Sequence, residues 1–106
     1  MAPRIHLIER NGYIQKLEGQ ISESGFWAIP LESAQLLVGG DIYFHKKQKE
    51  PSFYGGKILG YRIHNEDDEY RGRIIFRFEY SAKHRNVSAG IGGWSYEKKI
   101  VWGDEY

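Results

Sequence analysis

Four aromatic side chains of this sequence have the chemistry to stack on a planar ligand such as a nucleobase: Trp27, Tyr43, Tyr61 and Trp94. A base taken out of a duplex needs a flat aromatic wall and polar groups for its edge. Trp94 is the strongest candidate, because glycines precede it and the hydroxyl of Ser95 follows it. Stacking contributes about 1–3 kcal/mol per base. The alternative is that Trp94 fills one end of a β-barrel core.

Basic side chains concentrate in two stretches that could contact phosphates. Arginine can donate two parallel hydrogen bonds to phosphate oxygens, and Arg73 and Arg77 share one face of a predicted strand. The alternative is a solvated sheet face on which these two arginines pair with Glu79 or Glu97. The candidate phosphate contacts are Lys46, Lys47, Lys49, Arg73, Arg77, Lys83, His84 and Arg85.

The histidines show no spacing typical of a metal site, and we expect neither a metal nor a cofactor. A nuclease without metal could use His84 or His64 as a base, with Lys83 or Arg85 on the phosphate, although no local motif supports it. The glycines at 90–93 lack the lysine and the helix of a phosphate-binding loop. The four histidines lie on separate segments, at His6, His45, His64 and His84.

The composition predicts one domain over residues 1–106, with a single hydrophobic core. The sequence contains no cysteine, which excludes disulfides, thiolate nucleophiles and cysteine-ligated zinc. It has no apolar run long enough to span a membrane and no leader pattern, so we expect a cytoplasmic protein. The net charge of +1 gives no strong global field, only local basic zones.

Hydrophobic periodicity and turn residues predict an all-β (small α+β) fold with six or seven strands and one short crossover helix. Asn11-Gly12 predicts a hairpin between strands at Arg4–Glu9 and Tyr13–Ile21. Pro30 favours the first turn of a helix over Leu31–Val38, which Gly39-Gly40 ends. The basic segment 81–93 is predicted to be a long loop. Further strands are predicted at Phe26–Ile29, Ile42–His45, Lys57–His64, Arg73–Tyr80 and Tyr96–Trp102.

The middle third to half of the chain resembles the PUA-like superfamily, which includes the PUA, ASCH, EVE and YTH domains. The resemblance is carried by Trp27 on a strand, the helix ending at Gly39-Gly40, the step Asp41-Ile42-Tyr43-Phe44, and the strand Gly55-Gly56-Lys57-Ile58-Leu59-Gly60. Gly55, Gly56 and Gly60 would allow close backbone approach where the sheet bends. The EVE type fits best, whereas the glycine, lysine, glutamate and arginine run of ASCH domains is not recognisable. The resemblance implies a β-barrel whose pocket accepts a flipped or unpaired base, including a modified one.

The sequence therefore predicts a non-catalytic module that binds DNA or RNA. An interaction or assembly subunit with exposed aromatics and edge strands is the second interpretation, and a small metal-independent nuclease is the third. A domain of this size could also work with a separate catalytic subunit or another protein partner. The predicted base contacts are Trp27, Tyr43, Tyr61, Trp94 and Ser95, and the predicted phosphate contacts are Lys46, Lys47, Arg73, Arg77, Lys83 and Arg85.

Overall fold

A computed structural model describes residues 2–10, 12–90 and 92–103, which form one seven-stranded sheet with a short helix. The helix α1 (Leu31–Leu37) connects β3 to β4, and a 3-10 turn at Ala82–His84 follows β6. This confirms the prediction of a mostly β fold with one short helix. The strands are β1 (Arg4–Ile8), β2 (Ile14–Lys16), β3 (Ile21–Trp27), β4 (Asp41–His45), β5 (Tyr54–Ile63), β6 (Ile74–Tyr80) and β7 (Lys98–Val101).

The strand order in the sheet is β2-β3-β6-β5-β4-β1-β7, so β2 and β7 lie at its two edges. In the described residues β1 and β4 run parallel, and the other pairings are antiparallel. The core follows the alternation predicted for β6, because Phe76 and Phe78 are fully buried while Arg77 and Glu79 are exposed. No described helix is long and apolar enough to cross a membrane.

The hairpin predicted at Asn11-Gly12 is wrong. Both neighbours of β1 are distant in sequence, since β1 pairs with β4 and β7, while β2 pairs with β3. The carboxylate of Glu9 accepts hydrogen bonds from the backbone N–H groups of Gly12 (2.8 Å) and Tyr13 (3.3 Å). Asn11 itself lies outside the described residues.

The strand predicted over Tyr13–Ile21 is also divided in two. Gly19 adopts a left-handed φ of +59°, and the backbone N–H of Leu17 donates to the carbonyl of Ile21 (2.9 Å) across that turn. Ile21 therefore begins β3, which extends to Trp27 and includes the start of the strand predicted at Phe26–Ile29.

Two of the three glycines predicted to allow close approach do so. A Cβ atom on Gly55 would overlap the carbonyl oxygen of Ile42, and one on Gly56 would overlap that of Glu79. The prediction is wrong for Gly60, because no atom lies within 4 Å of a Cβ placed there. Gly60 instead follows a register shift between β5 and β6.

Candidate ligand-binding cavity

A cavity of about 450 Å³ lies between the residues that follow β3 and those that lead into β7. We call it the β3–β7 cavity. Phe26, Trp27 and Ile29 supply its apolar wall, and its volume is typical of sites that enclose a small organic ligand. Its polar and exposed lining consists of Arg10, Arg73, Ser95, Tyr96, Glu97 and Lys98.

Contacts with neighbouring side chains hold the aromatic wall of the cavity in place. Trp27 is 8% exposed, and its indole N–H donates to the hydroxyl of Ser24 (3.0 Å). Phe26 stacks on Tyr70 with a centroid distance of 4.7 Å and an interplanar angle of 7°. The hydroxyl of Tyr70 lies 3.3 Å from that of Tyr13, and this hydrogen bond raises the pKa of Tyr70 to about 12. The wall is therefore a fixed surface rather than a pair of free rings.

The rim of the β3–β7 cavity carries three cationic side chains and one carboxylate. Arg10 lies 3.7 Å from Glu97, in a pair whose side chains are both more than half exposed. Lys98 donates to the carbonyl of Ala28 (2.9 Å), and Arg73 donates to the carbonyl of Phe26 (3.5 Å). Because these two acceptors are uncharged, the bonds to them do not offset the positive charges of Lys98 and Arg73, and the charged groups of the rim sum to a positive charge.

The structure brings two predicted base contacts, Trp27 and Ser95, and the predicted phosphate contact Arg73 to this cavity. It places the other predicted base contacts elsewhere. Tyr43 and Trp94 both contact the ring of His6, at centroid distances of 4.7 Å and 6.3 Å. Tyr61 packs against the core and lines a separate groove of about 300 Å³.

Four of the predicted phosphate contacts lie on two neighbouring loops, apart from the β3–β7 cavity. Ser52 connects these loops. Its backbone N–H donates to the carbonyl of Val87 (2.9 Å), and its hydroxyl donates to the carbonyl of His84 (2.7 Å). The four residues are Lys46, Lys47, Lys83 and Arg85, and none of them is in the cavity lining.

Arg77 belongs to an ion cluster on the sheet. Its guanidinium lies 3.3 Å from the carboxylate of Glu23, which also receives Arg62 at 3.1 Å. Hydrogen bonds from Arg62 and then from Arg77 lower the pKa of Glu23. The alternative of a cross-strand ion pair is therefore found for Arg77, but the expected partners Glu79 and Glu97 are wrong. Its partner is Glu23, the residue directly opposite on β3.

A cluster of three histidines is the feature that the sequence did not indicate. The rings of His6 and Tyr43 stack at 4.7 Å, and Tyr43 stacks on His84 at 4.9 Å. Nδ1 of His6 lies 2.9 Å from Nε2 of His45. We call these four residues the histidine stack. The parallel register of β1 and β4 places His6 opposite Tyr43, and no local pattern reveals that pairing.

Hydrogen-bond partners assign the protons of the buried pair. Nδ1 of His45 lies 2.8 Å from the carbonyl oxygen of Glu50, which can only accept, so Nδ1 carries the proton. Nε2 of His45 then accepts from the Nδ1–H of His6. Burial keeps both rings neutral: it lowers the pKa of His6 to about 3, with His45, Arg4 and Lys99 adding to the effect, and it lowers the pKa of His45.

The histidine stack offers little to a substrate. Nε2 of His84 lies 2.9 Å from the carboxylate of Asp41, and its other ring nitrogen is buried without a hydrogen-bond partner. A general base must reach the proton that it removes, and this nitrogen is covered. In the part of the chain that the structure describes, no three or more His, Cys, Asp or Glu side chains are grouped to hold a metal ion.

Comparison with known proteins gives no assignment: no protein-family model, no curated protein and no solved structure matches this chain. The resemblance carried by the step at Asp41 and the glycines at 55–56 therefore stays a prediction. The function has to be inferred from the chemistry of the residues themselves.

Proposed function

We propose that the protein is a non-catalytic nucleic-acid-binding module and that the β3–β7 cavity receives an unpaired base of DNA or RNA. The observation that carries the proposal is that one cavity collects Trp27, Ser95 and Arg73, each predicted from the sequence as a ligand contact. Phe26 and Trp27 supply an aromatic wall, and Ser95 supplies a hydroxyl for the polar edge of a base. The volume of about 450 Å³ is sufficient for such a ligand.

The phosphates on either side of the base would meet the cationic rim. Arg73 and Lys98 donate to neutral carbonyl oxygens, and the guanidinium of Arg73 also lies over the ring of Tyr70 (5.6 Å to its centroid). None of these three partners is an anion, so these contacts do not offset the two positive charges. The net charge of the chain is only +1, so attraction to the nucleic-acid backbone would depend on local cations rather than on the overall charge. Binding through them should weaken as salt rises, because each phosphate contact releases counterions.

We further propose that the sheet closes into a PUA-like β-barrel and that the cavity lies where its two edges approach. Lys98 belongs to the edge strand β7, and its partner Ala28 directly follows β3, the second strand from the opposite edge. The close approach at Gly55 and Gly56 supports the bending that closure needs. Pockets at the mouths of barrels are frequent ligand sites.

The test is a tryptophan-fluorescence titration with short single- and double-stranded DNA and RNA, carrying plain and modified bases, at two salt concentrations. We expect saturable quenching that favours one base type and weakens with salt. Arg73→Ala should reduce affinity roughly tenfold, the loss of about 1.4 kcal/mol. The matched control is Arg71→Ala, because Arg71 is also exposed, pairs with Asp67 (3.6 Å) and does not line the cavity.

Three outcomes would count against the proposal. Equal losses in the two arginine variants would indicate a generic basic surface. Binding without base preference would leave the cavity without a role. No response to any oligonucleotide would reject nucleic-acid binding altogether.

The second candidate function is protein interaction, and exposed apolar side chains on and beside α1 favour it. Leu31, Leu36 and Val38 are 44%, 66% and 41% exposed, and such groups mark interfaces when they are contiguous. A mass that rises with protein concentration in sedimentation, together with no response to oligonucleotides, would favour this function over the first.

A further inference from the structure

We infer that Tyr96 is a ligand-binding residue of the β3–β7 cavity, whose ring stacks on the exposed face of the bound nucleobase. The inference rests on the proposed function and adds to it the residue that covers the base from the solvent side. It starts from the backbone of Tyr96, which adopts a left-handed φ of +56°. A residue with a Cβ atom adopts this conformation at an energetic cost, and a bulky one does so rarely.

The turn around Tyr96 would suit glycine or asparagine better. The backbone groups of Ser95 and Lys98 exchange both hydrogen bonds, at 2.8 Å and 3.1 Å, so only Tyr96 and Glu97 lie between them. Two-residue turns of this kind favour glycine or asparagine at positions of positive φ. The other non-glycine residue with positive φ in the described part of the chain is Asn86, a residue type that tolerates it.

The fold gains no packing in return for this strain. The residue is 92% exposed, so its ring buries almost no apolar surface against the protein. Strained backbone that no local contact explains is concentrated at ligand-binding sites. The position of Tyr96 in the lining of the β3–β7 cavity indicates which ligand the ring would meet.

The turn is also fixed at the cavity rim from both sides. The side-chain amide of Gln48 donates to the carbonyl of Tyr96 (3.0 Å), and Arg10 pairs with Glu97 (3.7 Å). A base against Trp27 and Phe26 would keep one face or edge towards solvent, and a tyrosine ring at the rim can cover it. Stacking on tyrosine suits any base, because each has a π-face; the ring would therefore add affinity, while the groups inside the cavity select the base.

The variants Tyr96→Gly and Tyr96→Phe separate this role from a structural one. Glycine removes the ring and relieves the left-handed strain, so we expect the melting temperature to rise by roughly 3 °C while affinity falls roughly tenfold. Phenylalanine keeps the ring and the strain, and should change both quantities little. Affinity is measured by anisotropy of a labelled single-stranded oligonucleotide that carries the preferred base.

The same oligonucleotide with an abasic site at that position completes the test. If Tyr96 stacks on the base, wild type and Tyr96→Gly should bind the abasic strand equally. The inference would be overturned if wild type and Tyr96→Gly bound the intact strand with equal affinity, or if the variant lost as much affinity for the abasic strand as for the intact one. Either result would leave the proposed function standing. A melting temperature that falls with affinity would assign Tyr96 to the fold and also overturn it. Failure of the wild type to bind any oligonucleotide would instead reject the proposed function.

Discussion

At the scale of residues, Glu23 shows how the protein accommodates a carboxylate with little access to water. The side chain of Glu23 is only 11% exposed, whereas its partners Arg62 and Arg77 remain more than half exposed. The desolvation cost therefore falls mainly on the carboxylate, and the two arginines offset it through charged hydrogen bonds. An unpaired carboxylate at this place would be unfavourable.

We expect Glu23→Gln to lower the free energy of unfolding by about 1–2 kcal/mol at neutral pH, measured by urea unfolding. The folded pKa of Glu23 lies below its ordinary value of 4.5. The stabilisation that the Glu23 carboxylate contributes is therefore complete above its ordinary pKa and is lost as the pH falls through its folded pKa. The difference between wild type and variant should shrink in acid.

The control for this substitution is Glu18→Gln, since Glu18 is an exposed turn residue and should show no comparable loss. An unchanged free energy of unfolding in Glu23→Gln would mean that hydration stabilises the two arginines as well as the carboxylate does. Many exposed ion pairs behave in this way.

At the scale of elements, glycines fix how closely β5 can lie to its neighbours. We expect Gly56→Ala to destabilise the protein by about 2 kcal/mol or more, because its methyl group would overlap the carbonyl oxygen of Glu79 on β6. Gly60→Ala should change stability by no more than about 0.5 kcal/mol, since a Cβ atom there meets nothing within 4 Å. Thermal unfolding of both variants measures the two stability changes. Similar losses at the two positions would mean that general chain flexibility, rather than contact with β6, makes glycine necessary at Gly56.

The elements that sequence predicted well are those whose signal is local. β6 alternates apolar and polar residues from Phe76 to Tyr80, and α1 is bounded by Pro30 and by Gly39, which has a φ of +89°. The hairpin at Asn11-Gly12 failed because both sides of β1 are occupied by strands that lie far away in sequence. Such pairings depend on the whole sheet, and two turn residues carry no information about them.

The same distinction applies to the candidate site. Trp27, Ser95 and Arg73 could be selected by residue type, but their neighbours Arg10 and Lys98 could not. These two residues line the cavity because segments far apart in sequence meet there, as the hydrogen bond from Lys98 to the carbonyl of Ala28 shows. The histidine stack was missed for a related reason. Its members lie on β1, on β4 and in the 3-10 turn. The register of β1 and β4 brings His6 to Tyr43, and His84 reaches Tyr43 and Asp41 from the 3-10 turn.

At the scale of the whole molecule, the buried histidine pair links the sheet to the loop that follows β4. His6 lies on β1, and His45 connects it to the carbonyl of Glu50. Both histidines are at most 1% exposed, so folding requires both rings to stay uncharged. The unfolded chain has no such restriction, which makes global stability depend on pH.

We expect the free energy of unfolding to fall as the solution is acidified below the ordinary histidine pKa of 6.5. The folded pKa of His6 is about 3, so between these two values the unfolded chain binds a proton that the folded chain does not. Each such group contributes a slope of up to about 1.4 kcal/mol per pH unit, and the lowered pKa of His45 acts in the same direction. Urea unfolding between about pH 5 and pH 7 measures this slope while carboxylates stay ionised.

The variant His6→Gln removes one titrating group. It should make the free energy of unfolding depend less steeply on pH, whatever the stability of the variant at neutral pH. An unchanged slope would contradict a neutral, buried His6.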